Sequence, residues 1–301
     1  MNESEEPLLE IENLTVERSL PMGEKAIGLR NISLKLMPGE VVILAGEAGS
    51  GKSLFTRVIA GDPGGRTKIL NGTVRFEGKD LLRAKQKQKR RHRSRAIAMI
   101  NRHPQDQFNP DRTVQQWLRD AARLAYGPVD KERPKDWSEL FYSVGIIEPE
   151  RILPRRMCDL PALLLQRLML MKALISKSSL IVCDEATTDM DRIAANTFLE
   201  VLLQVQKEYG VTLLMTTGNL TGMSEVADRV AILFDGAILE SGPVDDVFAR
   251  PSFDYTREFL GCSPKITHYP RELPTISREA IAEAEEAIHS GESIELGGAT
   301  G

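Results

Sequence analysis

A chain of 301 residues, 42% of them hydrophobic, is long enough to bury one large core or two modest ones. Its net charge of −4 excludes the global basic field by which a protein gathers nucleic acid. No stretch reaches the roughly 18–20 apolar residues of a membrane-spanning helix, and the acidic start MNESEEPLLE lacks the order of a secretion signal, so any link to a membrane is expected to run through partners.

The first predicted elements are strands: residues 8–16 (LLEIENLTV), with alternating apolar positions, and Leu29 to Leu36, closed by the turn Pro38-Gly39. VVILAG, Val41 to Gly46, is a continuous apolar run of strand length, as expected of a strand buried on both faces in a parallel sheet. LFTRVIAG after Ser53 reads as a helix stopping at Gly61, and Thr73 to Leu82 as strand, glycine turn and a further strand or helix start. Arg83 to Arg95 holds eight Lys or Arg with no interleaved aromatics, which favours a solvated loop or helix face over a nucleic-acid patch. Residues 113–145 and Leu163 to Ile175 are helical in pattern. SLIVCD (Ser179 to Asp184), TLLMTT (Thr212 to Thr217) and RVAILF (Arg229 to Phe234) are further buried strands. Strands alternating with helices indicate an α/β fold with a parallel sheet. From Ser263 the apolar rhythm fades. Ser277 is placed to cap a short acidic helix over Arg278 to His289, and the chain ends GGATG. Cys158, Cys183 and Cys262 stand far apart with no CxxC and read as reduced thiols.

One segment carries explicit chemistry. Gly46, Glu47, Ala48, Gly49, Ser50, Gly51, Lys52 and Ser53 spell GEAGSGKS, a full match to GxxxxGK[ST] between a buried strand and a helix. Glycines let successive backbone N–H groups turn towards phosphate oxygens, and the helix N-terminus adds partial positive charge. Lys52 is expected at the β- and γ-phosphates of ATP and the Ser53 hydroxyl on Mg²⁺. The strand SLIVCD ends in Asp184-Glu185. An acid at such a strand tip suits Mg²⁺, directly or through water, and Glu185 suits the polarising of an attacking water.

With these residues in view the sequence resembles the ATP-binding subunits of ABC transporters, and within them the oligopeptide/dipeptide (peptide/nickel) importer branch, over residues 8–262. GTVRFEGKDLL, the Ala96 to Val114 stretch, DEATTDMD (Asp184 to Asp191), ADRVAILFDGAILESGPVDDVF (Ala227 to Phe248) and YTREFL (Tyr255 to Leu260) fall in the family's order and spacing. The resemblance implies a RecA-like P-loop core with an antiparallel β N-terminal portion and a helical subdomain near residues 100–175. The acidic extension, 263–301, carries few large apolar residues and ends in small polar ones, so it is expected to be partly disordered and dispensable for ATP binding. The resemblance also implies Mg-ATP as ligand, and as partners a second ABC ATPase subunit, two membrane permease subunits and, indirectly, a solute-binding protein, with no nucleic acid. The location implied is peripheral, on the cytoplasmic face of the cell membrane.

Several of the family's positions are altered. The signature segment falls on LPALLLQR, Leu160 to Arg167, where Pro161 offers no hydroxyl and Leu163 puts an isobutyl group where backbone should approach phosphate. The Q-loop glutamine falls on Arg102, the switch histidine on Gly218, and the adenine-stacking aromatic on Arg18, whose guanidinium can also stack on a base. Asp191 of the D-loop is kept. Two readings follow: an energising ATPase subunit of an importer, or a weakly hydrolysing partner in a heterodimer whose other subunit supplies most turnover. A soluble ABC protein of DNA repair or translation would carry two ATPase domains or large insertions, which this sequence lacks.

Overall fold

The computed structural model describes residues 6–20, 24–83, 96–126, 137–220, 225–262, 275–291 and 294–295. The chain forms two compact units: Met1–Arg83 with Leu214–Gly301, and Ala84–Leu213.

In the first unit, β1 (Leu9–Ser19), β2 (Lys25–Leu36), β4 (Thr67–Phe76) and the short β5 (Lys79–Asp80) form an antiparallel sheet in the order β2-β1-β4-β5. Leu9 and Ile11 are buried in β1, but the next buried residue is Leu14, three positions on. A shift of register between Ile11 and Leu14 absorbs the extra residue, with Asn13 in the left-handed region at φ 50° and its N–H donating to Ser33 Oγ at 3.0 Å. Asparagine tolerates this conformation, which keeps the later apolar side chains on the core face. The paired β4 must carry Gly72 there (φ 98°): a Cβ would meet the Glu12 carbonyl and Leu14 Cα, both at 2.6 Å. Arg75 bridges Glu10 and Glu12, and Lys35 with Arg75 holds the Glu10 carboxyl below its usual range.

The same unit holds β3 (Val41–Ala45), whose five residues are all buried. It runs parallel to β9 (Arg229–Phe234), from Val42↔Arg229 to Ala45↔Ile232. The turn at Asp235 and Gly236 returns the chain into β10 (Ala237–Pro243), antiparallel to β9, and β11 (Ile294–Glu295) pairs in parallel with β10. Helix α1 (Lys52–Ile59) follows β3.

The second unit contains β6 (Ile97–Asn101) and β7 (Leu180–Asp184), paired in parallel from Ile97↔Leu180 to Asn101↔Asp184. A parallel pair needs a long crossover. Here the crossover contains α2 (Val114–Tyr126), α3 (Ser138–Ser143), α4 (Pro149–Ile152) and α5 (Ala162–Ile175). Among the described residues the helical pattern over 113–145 shows two helices, with residues 127–136 outside the described set. Helix α5 is apolar nearly all round and buries Leu165, Leu168, Met169, Leu170 and Met171, which fits a helix at the centre of a unit. Asp191 caps α6 (Arg192–Tyr209), accepting from the N–H groups of Ile193 and Ala194 at 2.9 and 3.0 Å, and Gly210 at φ 64° ends it. β8 (Thr212–Thr217) begins in this unit and continues into the first. The basic run lies, from Ala84 to Arg95, outside the described residues.

After β10 the first unit continues with α7 (Val244–Ala249), α8 (Asp254–Gly261) and α9 (Arg278–Ser290). Ser277 caps α9 by accepting from Ala280 N–H at 3.2 Å. Ala280, Ala284 and Ala287, spaced at i, i+4 and i+7, are buried, so one face of this helix is packed into the unit. Among the described residues no helix is long and apolar enough to cross a membrane.

Candidate nucleotide-binding site

In the first unit, β3 delivers the chain into the loop Gly46 to Gly51, which α1 closes. Two glycines are fixed by space and by backbone angle. A Cβ at Gly46 would lie 2.3 Å from the Leu233 carbonyl, and Gly51, the N-cap of α1, has φ 111° with the Gly28 carbonyl 3.0 Å from any added Cβ. The loop is tied to its surroundings by Gly46 N–H to the Thr217 carbonyl (3.2 Å) and Gly236 N–H to the Ser50 carbonyl (2.8 Å). No side chain caps α1. Its first turn therefore presents backbone donors and the positive end of the helix dipole to whatever anion arrives.

Lys52 is 3% exposed, and its ammonium donates to the Gly46 and Glu47 carbonyls at 2.7 and 2.8 Å. A buried cation that donates to carbonyls of its own loop can exchange them for phosphate oxygens, so the loop fits a polyphosphate. Ser50 Oγ is buried without a hydrogen-bond partner, while Glu47, Ala48, Gly49 and Ser53 are exposed at the mouth. Gly218 stands against this loop: a Cβ there would lie 3.6 Å from the Gly46 carbonyl, an ordinary contact. The stem of Arg18 lies over Gly28, whose added Cβ would be 3.4 Å from Arg18 Cδ. The first unit thus gathers the whole GEAGSGKS segment, Gly218 and Arg18.

The second unit gathers the acidic residues. The register Asn101↔Asp184 makes Arg102 and Glu185 the next residues beyond the paired ends of β6 and β7. Arg102 takes Asp189 in a bidentate pair, Nε to Oδ2 at 2.8 Å and the second guanidinium nitrogen to Oδ1 at 2.5 Å, and its third nitrogen is 3.6 Å from Glu185 Oε2. His103 Nδ1 approaches Asp189 at 3.6 Å. The guanidinium holds the Asp189 carboxyl below its usual range, and the carboxylate raises Arg102 in return. Glu185 adopts φ 50°, a left-handed conformation that turns the chain sharply off the end of β7. Gln166, 1% exposed on α5, donates its amide to the Ala186 carbonyl and so fixes the residue after Glu185 from the signature helix.

Pro161 is the N-cap of α5 with no side-chain hydrogen bond. Its carbonyl accepts from Leu164 and Leu165 at 3.0 and 3.2 Å. Ser53 and Asp184 are hard oxygen donors of the kind Mg²⁺ takes, and one lies in each unit. Among the described residues no cluster of three or more His, Cys, Asp or Glu forms a metal cage of its own.

Three contacts were not legible in the sequence: Arg102 with Asp189, Gln166 with Ala186, and the Tyr255 hydroxyl with the Glu47 carboxylate at 3.3 Å. Each joins residues distant in sequence through tertiary packing, and only the membership of Tyr255 and Gln166 in family-like segments could have drawn attention to them.

The profile of the ABC transporter family matches residues 29–188. The peptidoglycan transport ATP-binding protein YejF of Agrobacterium fabrum is 33% identical over 261 residues, 86% of this chain and 48% of that protein. The dipeptide transport ATP-binding protein DppD of Bacillus subtilis is 30% identical over 272 residues, 90% of this chain and 81% of that protein. The chain thus spans about half the length of YejF and most of DppD. Among solved structures, CbiO1 of Clostridium perfringens, part of an ABC transporter complex, superposes with a TM-score of 0.66 at 22% identity, covering 82% of this chain and 92% of that one. A dimeric ATP-binding cassette bound to ADP and phosphate gives 0.64 at 20% identity, over 78% and 98% of the two chains. These structures share the fold of an ATP-binding cassette, and with the family match and the DppD relationship they lead to one conclusion: the chain belongs to the ABC transporter family.

Proposed function

We propose that the chain is the ATP-binding subunit of an ABC importer, coupling Mg-ATP binding and hydrolysis to solute uptake through membrane permease subunits, with peptides as the solute class. The observation that carries this reading is Lys52, a buried ammonium held by two carbonyls of its own loop beneath an uncapped helix N-terminus. In this reading the backbone of Gly46 to Ser53 and the Lys52 ammonium bind the β- and γ-phosphates, and Arg18 stacks on the base. Ser53 and Asp184 hold Mg²⁺. When bound, the metal neutralises charge developing on the transferred phosphoryl group. Glu185 accepts a proton from the attacking water, and Gln166 steadies the segment that follows it.

The peptide assignment rests on relatives described as peptide, dipeptide or glutathione transport ATP-binding proteins. Their shared description favours an energising subunit over a module that binds ATP only to glue a dimer. The partners implied are a second ATPase subunit of different sequence, two permease subunits and a solute-binding protein, and the location implied is the cytoplasmic face of the membrane.

The test is ATP hydrolysis by the purified chain, alone and assembled with permease and partner ATPase, with Glu185→Gln as control. Phosphate release in the assembly that the control abolishes supports the reading. A chain that fails to bind Mg-ATP in any setting refutes it.

A further inference from the structure

Among the described residues Tyr255 is the largest side chain that is wholly buried, and the nucleotide chemistry above does not use it. It projects from α8 into the first unit, tilted against Phe234 at 4.6 Å between ring centroids and stacked on Phe259 at 6.1 Å. Phe234 ends β9, the strand beside β3. The ring is thus fixed on two sides, and its hydroxyl donates to Glu47 Oε2 at 3.3 Å. The phenol is protonated at neutral pH, and burial, followed by the Glu47 charge, pushes it further above its usual range. Helix α8 is itself braced by α9: the Glu258 carboxylate accepts from the backbone and hydroxyl of Ser277, and Glu283 accepts from Asp254 N–H at 2.9 Å.

Glu47 occupies the second position of the phosphate loop, and its carbonyl is one of the two that hold Lys52. A carboxylate at this position is an electrostatic hazard, because a side chain free to swing across the mouth repels the triphosphate. We propose that Tyr255 is a positioning residue for the phosphate loop, its hydroxyl holding the Glu47 carboxylate against α8 and away from the phosphate-binding mouth. The inference rests on the nucleotide-binding reading. It adds that the C-terminal helices set the electrostatics of the loop.

The experiment is calorimetric titration of the full-length protein with Mg-ATP at about 50 mM and about 500 mM salt, which changes the screening length roughly threefold. Tyr255→Phe keeps the ring and removes only the hydroxyl, so the melting temperature should stay close to wild type. Affinity at low salt should fall by about three- to tenfold, the scale of one ordinary hydrogen bond, and the loss should shrink at high salt. In a Glu47→Gln background there is no carboxylate to restrain, and Tyr255→Phe should have no further effect. Equal affinities for wild type and Tyr255→Phe overturn the proposal. So does an undiminished loss in the Glu47→Gln background, which would show that Tyr255 acts through packing. Failure of the wild type itself to bind Mg-ATP would instead refute the functional reading, and this inference with it.

Discussion

Replacing Lys52 with Ala separates the two roles its ammonium plays. In the folded chain it satisfies the Gly46 and Glu47 carbonyls at 2.7 and 2.8 Å while 97% of its surface is shielded. Glu47 is exposed, so water can take over at its carbonyl, whereas Gly46 is buried. Leaving one buried carbonyl short of a donor costs about 1–3 kcal/mol of stability. On the ligand side, a charge-assisted contact to phosphate is worth about 1.5–3 kcal/mol, or about 10- to 150-fold in Kd. Because the wild-type lysine gives up a carbonyl bond to make that contact, the lower half of the range is expected. The assay is Mg-ATP titration of both proteins at a temperature well below either melting point, with thermal melts run in parallel. A variant that melts earlier and still binds Mg-ATP within about threefold of wild type would refute the reasoning. It would mean that Lys52 serves the fold and that phosphate is held by backbone alone.

Arg102→Gln should release Glu185 and Asp189 from the guanidinium and raise the steady-state ATPase of the assembled complex a few-fold, while Arg102→Lys, which keeps the charge but not the bidentate fork, should fall between the two. An unchanged rate in the Gln variant would make the pair a spectator. Cys158 is exposed and should be alkylated promptly at mildly alkaline pH. Cys183, whose thiol is pushed up to about 12 by burial and then by Asp184, should react only on unfolding, and early labelling of Cys183 in peptide maps would contradict the structure. Glu10, Asp159 and Asp189 are all held below the usual carboxylate range, by Lys35 and Arg75, by Arg156, and by Arg102 respectively. Their contribution to stability is complete above the unfolded values near about pH 4 and is lost as pH falls through the depressed ones. Melts should therefore hold steady down to about pH 4 and drop below it, with Glu10→Gln making that drop shallower.

What the sequence made legible is what is local. GEAGSGKS is contiguous and flanked by a five-residue buried strand and a helix, so its shape follows from glycine spacing and the strand-to-helix turn alone. The capping of α9 by Ser277 was legible for the same reason: a cap concerns residues within one turn. The division of the chain was less so. Helices expected as an insertion near 100–175 belong to a unit running from Ala84 to Leu213, because they form the crossover that a parallel β6–β7 pair requires and so share its core. Partnerships such as Arg102 with Asp189 depend on strand register and on a turn at Glu185 with positive φ, neither of which leaves a periodic trace.

The altered family positions are each satisfied by the fold. Pro161 sits at φ −65°, the value its ring imposes, and at an N-cap its carbonyl still closes the first turn of α5. At Gly218 an added Cβ would meet the Gly46 carbonyl at 3.6 Å, an ordinary contact. Arg102 finds a bidentate carboxylate in Asp189. Restoring the family residues should change the melting temperature little, which thermal melts of the reverted variants check. In the proposed reading the intact phosphate loop keeps Mg-ATP binding, so the place to look for an effect of these substitutions is the rate of hydrolysis rather than the melting temperature.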